Sequence, residues 1–195
     1  MKKELLFATN NPHKLEEIRA IAPADCKIIS LQEIGFTEDI PEPYETIAEN
    51  ALHKAKVLYE KFGMITIADD TGLEVEALNG APGVYSARYA GDNAKSTDNI
   101  SLLLNNLKSY SNRNAQFKTV IAYLSTDAEM LFEGIIKGKI SESARGVGGF
   151  GYDPVFLPQN FDQSFAEMPP SLKNEISHRS LAMQRLLTYL NSLDQ

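Results

Sequence analysis

Four consecutive apolar residues, Leu5–Ala8, run straight into the polar cluster Thr9-Asn10-Asn11-Pro12, after which Leu15, Ile18 and Ile21 recur at helical spacing. A short buried strand that turns at once into a helix needs a sheet with helices laid on it. The same alternation continues along the chain. Lys27–Leu31 is a second strand candidate, and Pro41 and Pro43 then interrupt regular structure. A longer helix is predicted from about Thr46 to Phe62, with Ile47, Ala51, Lys54/Ala55 and Leu58 along one mostly apolar stripe. Met64–Ala68 is a continuous apolar strand with Asp69-Asp70-Thr71-Gly72 at its C-terminal end, and Leu73–Leu78 alternates as a half-buried strand does. Asn79–Gly83 is a loop by composition, Asp98–Leu107 a helix, and Phe117–Ser125 with Met130–Ile140 an antiparallel pair turning near Thr126-Asp127. After glycine-rich Gly146–Gly151 an extended piece covers Asp153–Leu157, and Pro169-Pro170 precede a final helix of about Asn174–Leu193. Strands and helices both alternate and cluster, which predicts an α/β fold with a mixed sheet flanked by helices.

The chain has 195 residues, 43% of them apolar, enough for one domain with a substantial core. Its formal net charge of -7 is the wrong sign for gripping a nucleic-acid polymer, though a local basic cluster still suffices for a mononucleotide. Cys26 is the sole cysteine, so no intrachain disulfide forms and a reducing compartment is expected. Leu5–Ala8 is too short for a signal-peptide core, and no run approaches a membrane span, so the expectation is a cytoplasmic protein with no membrane partner.

Four constellations can carry chemistry. Lys14 falls in the opening turn of the first helix, where free backbone N–H groups and the helix dipole favour phosphate; an Asn-capped helix with a solvated lysine reads the same way. Asp69 and Asp70 end an apolar strand, and neighbours on a strand face opposite sides. One of them can then serve Mg²⁺ or an attacking water while the other braces its surroundings; a plain acidic turn is the alternative. Gly146-Val147-Gly148-Gly149-Phe150-Gly151 matches G-x-G-x-x-G, but Pro154 prevents the helix that a dinucleotide site requires. This loop instead presents Phe150 and Tyr152 to a flat base, or is a simple bulge between strands. Lys173 with Ser177-His178-Arg179 supplies donors for carbonyl oxygens, or else a solvated helix start. His13, His53, His178 and Cys26 lack the spacing of a zinc site.

The order of these segments is more specific than any one of them. Ala8-Thr9-Asn10-Asn11-Pro12-His13-Lys14, Glu49–Ala55, Ala68–Leu73, Gly80–Arg88, Gly148–Pro154 and Ile176–Arg179 follow one another. Together they resemble the inosine triphosphate pyrophosphatase family, over about residues 5 to 190. The resemblance implies an elongated, twisted mixed sheet in two lobes with a central cleft, one domain over residues 1–195, and a homodimer. It implies Mg²⁺-dependent hydrolysis of ITP, dITP and XTP to the monophosphate and pyrophosphate. By position, Thr9, Asn10, Asn11, Pro12, His13 and Lys14 would cradle the triphosphate, and Lys54 would face the phosphates. Asp70 would accept the proton of the attacking water and bind metal, with Glu42 as second acidic ligand and Glu45 its alternative. Thr71 would touch substrate, where the family more often has serine. Phe150, Gly151, Tyr152, Asp153, Lys173, His178 and Arg179 would form the base pocket. Asn10 replaces the family's usual glycine, so the turn must accept a side chain, and asparagine tolerates unusual φ. Two rival functions share these residues: a pyrophosphatase for modified pyrimidine triphosphates, and a nucleotide-binding regulator without turnover. A pure sensor needs no water-activating carboxylate, which argues against the second.

Overall fold

The structure, a computed structural model, describes residues 3–193. Strand β1 (Lys3–Phe7) leads into helix α1 (Pro12–Ile21), whose start is set locally. Asn11 Oδ1 accepts from the backbone N–H groups of His13 and Lys14 at 3.0 and 3.3 Å, and Pro12 occupies the position where a missing N–H costs nothing. β2 (Cys26–Ser30) pairs parallel to β1. Helix α2 (Ile47–Phe62) is capped by Thr46, whose hydroxyl accepts from Glu49 N at 3.2 Å and donates to the Glu49 carboxylate at 2.6 Å, and it ends at Gly63 with φ 64°. There follow β3 (Thr66–Val75), the two-residue β4 (Pro82–Gly83), α3 (Ser96–Asn106), β5 (Asn114–Leu124), β6 (Glu129–Ile140), β7 (Phe156–Pro158), α4 (Pro170–Ile176) and α5 (His178–Ser192).

The sheet order is β2-β1-β3-β5-β6-β7, with β4 on β3. β1 is parallel to both neighbours, whereas β4 pairs antiparallel with β3 and β7 with β6, so the sheet is mixed, as predicted. β5 and β6 are neighbours joined by four residues, a connection that antiparallel strands alone can make. The chain divides into two compact units. Unit 1 comprises residues 1–70, 119–134 and 178–195, and unit 2 residues 71–118 and 135–177. The core of unit 1 packs Leu5, Phe7, Ile18, Ile67, Ile121, Met183 and Leu186. That of unit 2 gathers Leu73, Leu103, Val155 and the rings of Phe117, Phe156 and Phe165, the first two of which meet edge to face at 4.7 Å.

Several elements differ from the sequence-based expectation. Leu73–Leu78 is not a strand of its own, since β3 runs on to Val75 and Glu76–Leu78 turn as a 3-10 helix. Pro82–Gly83, inside the expected loop, pair as β4, and of Asp153–Leu157 the first three residues are turn, with the strand at Phe156–Pro158. Asp69-Asp70-Thr71-Gly72 does not end a strand but lies inside β3, both aspartates being buried. A strand buries acids when cations from elsewhere meet them, and a local window does not contain those cations. The expected helix Asn174–Leu193 is two helices, because Ser177 takes an extended conformation (φ -68°, ψ 154°) between α4 and α5.

Candidate active site

The buried acids of β3 organise unit 1. Side chains alternate along a strand, so Asp69 and Asp70 meet different cations. Asp69 is fully buried. Its Oδ1 lies 3.1 Å from Lys14 Nζ in the first turn of α1, and its Oδ2 accepts from both Nε and Nη2 of Arg179, each at 2.9 Å. The third guanidinium nitrogen, Nη1, donates to Glu17 Oε2 on α1. Burial would raise the Asp69 carboxyl, but Lys14, Arg179 and Lys54 outweigh it and hold the group well below the usual carboxylate range.

Asp70 has the contrary environment. It is buried, and Lys54 Nζ is 3.8 Å from its Oδ1. Burial is the largest influence and Glu42 adds to it; together with Asp69 they prevail over Lys54 and Lys14, and the carboxyl is pushed up to about 6. Lys54, buried on α2, is held above its ordinary value: burial opposes its charge, but Asp70, Glu42 and Asp69 prevail. Its ammonium donates to Glu42 Oε1. Glu42 is delivered there by Asn50, one turn before Lys54 on α2. Asn50 accepts from Tyr44 N at 2.9 Å and donates to Tyr44 O at 3.0 Å, pinning the segment that carries Glu42. Glu45 is exposed.

Unit 2 contains a second polar cluster. Lys173 on α4 is buried, and its Nζ donates to Asp153 Oδ2 at 2.6 Å. The ammonium also lies 4.9 Å from the centroid of the Phe150 ring and 5.5 Å from that of Phe165. Asp153 Oδ2 accepts from Phe150 N at 2.8 Å, which closes the glycine loop. Gly149, with φ 70°, is required beneath it, since a Cβ there would collide with that carboxylate. Tyr152 is buried and donates from its hydroxyl to Ser86 O at 2.9 Å.

Residues 5–189 match the sequence profile of the Ham1 family. The chain belongs to the Ham1 family. Among its family relatives, the dITP/XTP pyrophosphatase of Flavobacterium johnsoniae is 49% identical over 97% of this chain and 98% of its own. The protein of that name from Porphyromonas gingivalis is 51% identical over 96% and 97%. Two solved Ham1 structures share the fold. That of Staphylococcus aureus has a TM-score of 0.88 at 39% identity, covering 97% of this chain and 99% of its own. That of Coxiella burnetii has 0.89 at 38%, with the same coverage.

In this Ham1 chain, unit 1 brings Lys14 and Arg179 together at Asp69 and Glu42 and Asp70 together at Lys54, and unit 2 brings Phe150, Asp153 and Lys173 together. Thr9 and Asn11 are half-buried, with Thr9 Oγ1 accepting from Asn11 N at 3.2 Å; Asn10, Pro12 and His13 are exposed. Among the described residues the non-glycine positions of positive φ are Asn79 and Asn160, so the backbone of Asn10 is ordinary. Thr71 is half-buried on β3, Gly151 has φ 60°, and His178 is buried at the start of α5. Sequence reasoning missed Glu17. Its one legible signal is the i, i+3 spacing from Lys14, which puts both on one side of α1.

Proposed function

We propose that the chain hydrolyses non-canonical purine nucleoside triphosphates (dITP, XTP and ITP) to the monophosphate and pyrophosphate. The observation that carries this reading is the Glu42–Lys54–Asp70 arrangement: two carboxylates at one buried ammonium, one of them with its pKa raised to about 6. A base is most effective when its pKa lies near the working pH, and this carboxyl is close to it. Asp70 takes a proton from water as the water oxygen attacks the α-phosphorus. The α-phosphorus–oxygen bond to the leaving pyrophosphate breaks, and the bond to water oxygen replaces it. Lys54 and Lys14 offset the charge of the phosphates; in such a reaction the catalyst mainly positions groups and neutralises charge.

The donor set fits Mg²⁺. Glu42 and Asp70 are two carboxylates brought to one ammonium, that of Lys54, and these are the groups assigned to the ion. Mg²⁺ is commonly held in this way, by one or two carboxylates with water and substrate phosphates completing the shell. When bound, the ion supplies Lewis-acid polarisation of phosphate oxygens. The turn Thr9–His13 is assigned to the phosphates and Thr71 to a substrate contact. Phe150, Gly151, Tyr152, Asp153, Lys173 and His178 are assigned to the purine; support comes from Lys173, whose charge is already matched by Asp153 and whose neighbours include the Phe150 ring. The names of the relatives favour purine substrates over modified pyrimidines. The active species is assigned as a homodimer, measurable by light scattering.

The test is a panel of ITP, dITP, XTP, the canonical triphosphates and modified pyrimidine triphosphates with Mg²⁺, assayed for both pyrophosphate and orthophosphate. Pyrophosphate from ITP, dITP and XTP, in clear excess over the rest, is expected. Orthophosphate release, or binding without turnover, would overturn the assignment.

A further inference from the structure

Strand β6 carries a glycine where the first turn of α5 lies against it. Phe132 and Gly134 alternate onto the face that packs on α5: the Phe132 ring meets that of Tyr189 at 5.5 Å, and Gly134 sits against His178 and Ala182. A Cβ at Gly134 would lie 2.0 Å from His178 O, 2.5 Å from Ala182 N and 3.1 Å from Ala182 Cβ. The first two are backbone atoms, which cannot swing aside as a side chain does. They are a carbonyl and an N–H four residues apart, the pair that an α-helix bonds to each other, so the strand touches the helix backbone itself. Gly134 is not among the glycines of positive φ. What the position requires is the missing Cβ rather than an unusual backbone, and a strand glycine of that kind marks a close approach.

The contact fixes where α5 begins. Non-bonded carbon atoms keep about 3.5 Å apart, so a side chain at position 134 would lift this turn off β6 by about 1 Å or more. Further along, α5 is held by other means: Met183 and Leu186 are buried in the core of unit 1, and Arg185 Nη1 donates to Glu133 O at 2.7 Å. The start of the helix carries His178 and Arg179, both buried. Arg179 is tied in addition to Asp69 on β3, through Nε and Nη2, each at 2.9 Å. Donors that read a ligand must stand within about 0.5 Å of the productive geometry, which demands a rigid seat for the element that bears them. We propose that Gly134 is a positioning residue for base selectivity: by letting β6 touch the backbone of α5, it sets where His178 and Arg179 present their donors to the 6-carbonyl of the purine. The inference rests on the assignment of the purine to the start of α5.

The test compares Gly134→Ala with Leu186→Val, which loosens the same core about two turns further along α5 and leaves the start of the helix alone. For each variant kcat/KM for pyrophosphate release is measured with ITP and ATP, IMP and AMP are titrated by calorimetry, and the thermal midpoint is recorded. A displacement of about 1 Å costs up to about 100-fold, so Gly134→Ala should lower kcat/KM for ITP by about 10- to 100-fold. ATP gains little from donors aimed at a carbonyl, so the ITP/ATP ratio should fall by about 10-fold, and the preference for IMP over AMP should fall with it. Leu186→Val should lower the thermal midpoint yet keep both ratios within about twofold. Wild-type ratios in folded Gly134→Ala would overturn the proposal, as would an equal change of ratio in Leu186→Val, which marks a loosened core. Should Gly134→Ala fail to fold, Ala182→Val, which thickens the other side of the same contact, carries the same readouts; should neither fold, the contact is a folding element and the proposal falls. Wild-type protein that prefers IMP to AMP but releases no pyrophosphate from ITP would overturn the pyrophosphatase reading alone.

Discussion

Asp70→Asn separates the two costs that its environment imposes. In the folded, metal-free protein the carboxyl is pushed from its ordinary 3.8 up to about 6, burial being the chief cause and Glu42 the chief helper. The folded state therefore holds this proton more tightly than the unfolded chain does. The stability so gained is fully present below the ordinary value and is lost as pH rises through about 6. A rise of about two pH units corresponds to about 3 kcal/mol. Asparagine copies the shape of the protonated acid and never ionises. Relative to wild type, Asp70→Asn should thus gain about 2 kcal/mol on going from pH 4.5, where part of the effect is already lost, to pH 8. Urea unfolding of both proteins in EDTA at the two pH values measures the difference directly. The same variant should lose about 10²- to 10⁴-fold in pyrophosphate release, because it has no base. A stability difference independent of pH would refute the raised pKa. Near wild-type turnover in a folded variant would refute the role of Asp70.

Lys54→Met leaves the Glu42 and Asp70 carboxylates without the ammonium they share, and ITP turnover should fall at least about 100-fold, with the acidic limb of the kcat/KM profile moving to higher pH. Lys173→Met strands the buried Asp153 carboxylate and should destabilise the fold by about 3–5 kcal/mol in urea titrations, a loss that Lys173→Arg partly restores. Gly149→Ala places a Cβ against Asp153 at φ 70°, and its thermal midpoint should fall by several degrees, since such backbone strain costs about 1–3 kcal/mol.

Local chemistry made much of the molecule legible. The turn into α1 is set by Asn11 and Pro12, the start of α2 by Thr46 and Glu49, and the mixed sheet by where apolar runs and helical spacing alternate. These depend on residues within one turn of one another, and a sequence displays them directly. The ordered segments from Ala8 to Arg179 likewise marked Lys14, Lys54, Asp70, Asp153 and Lys173 as candidates. What each of them touches was decided elsewhere. Asp69-Asp70 resembles the end of a strand because two adjacent acids are costly to bury, yet β3 runs through them. The reason lies in Lys14, Lys54 and Arg179, and Arg179 is 110 residues from the carboxylate it holds. Glu42 pairs with Lys54, 12 residues on, while Glu45 stays exposed, and Glu17 holds a guanidinium 162 residues away. Caps and periodicities are properties of a short stretch of chain. The partner of a buried charge is not: it is fixed by which distant cation the folded chain brings within reach of that carboxylate.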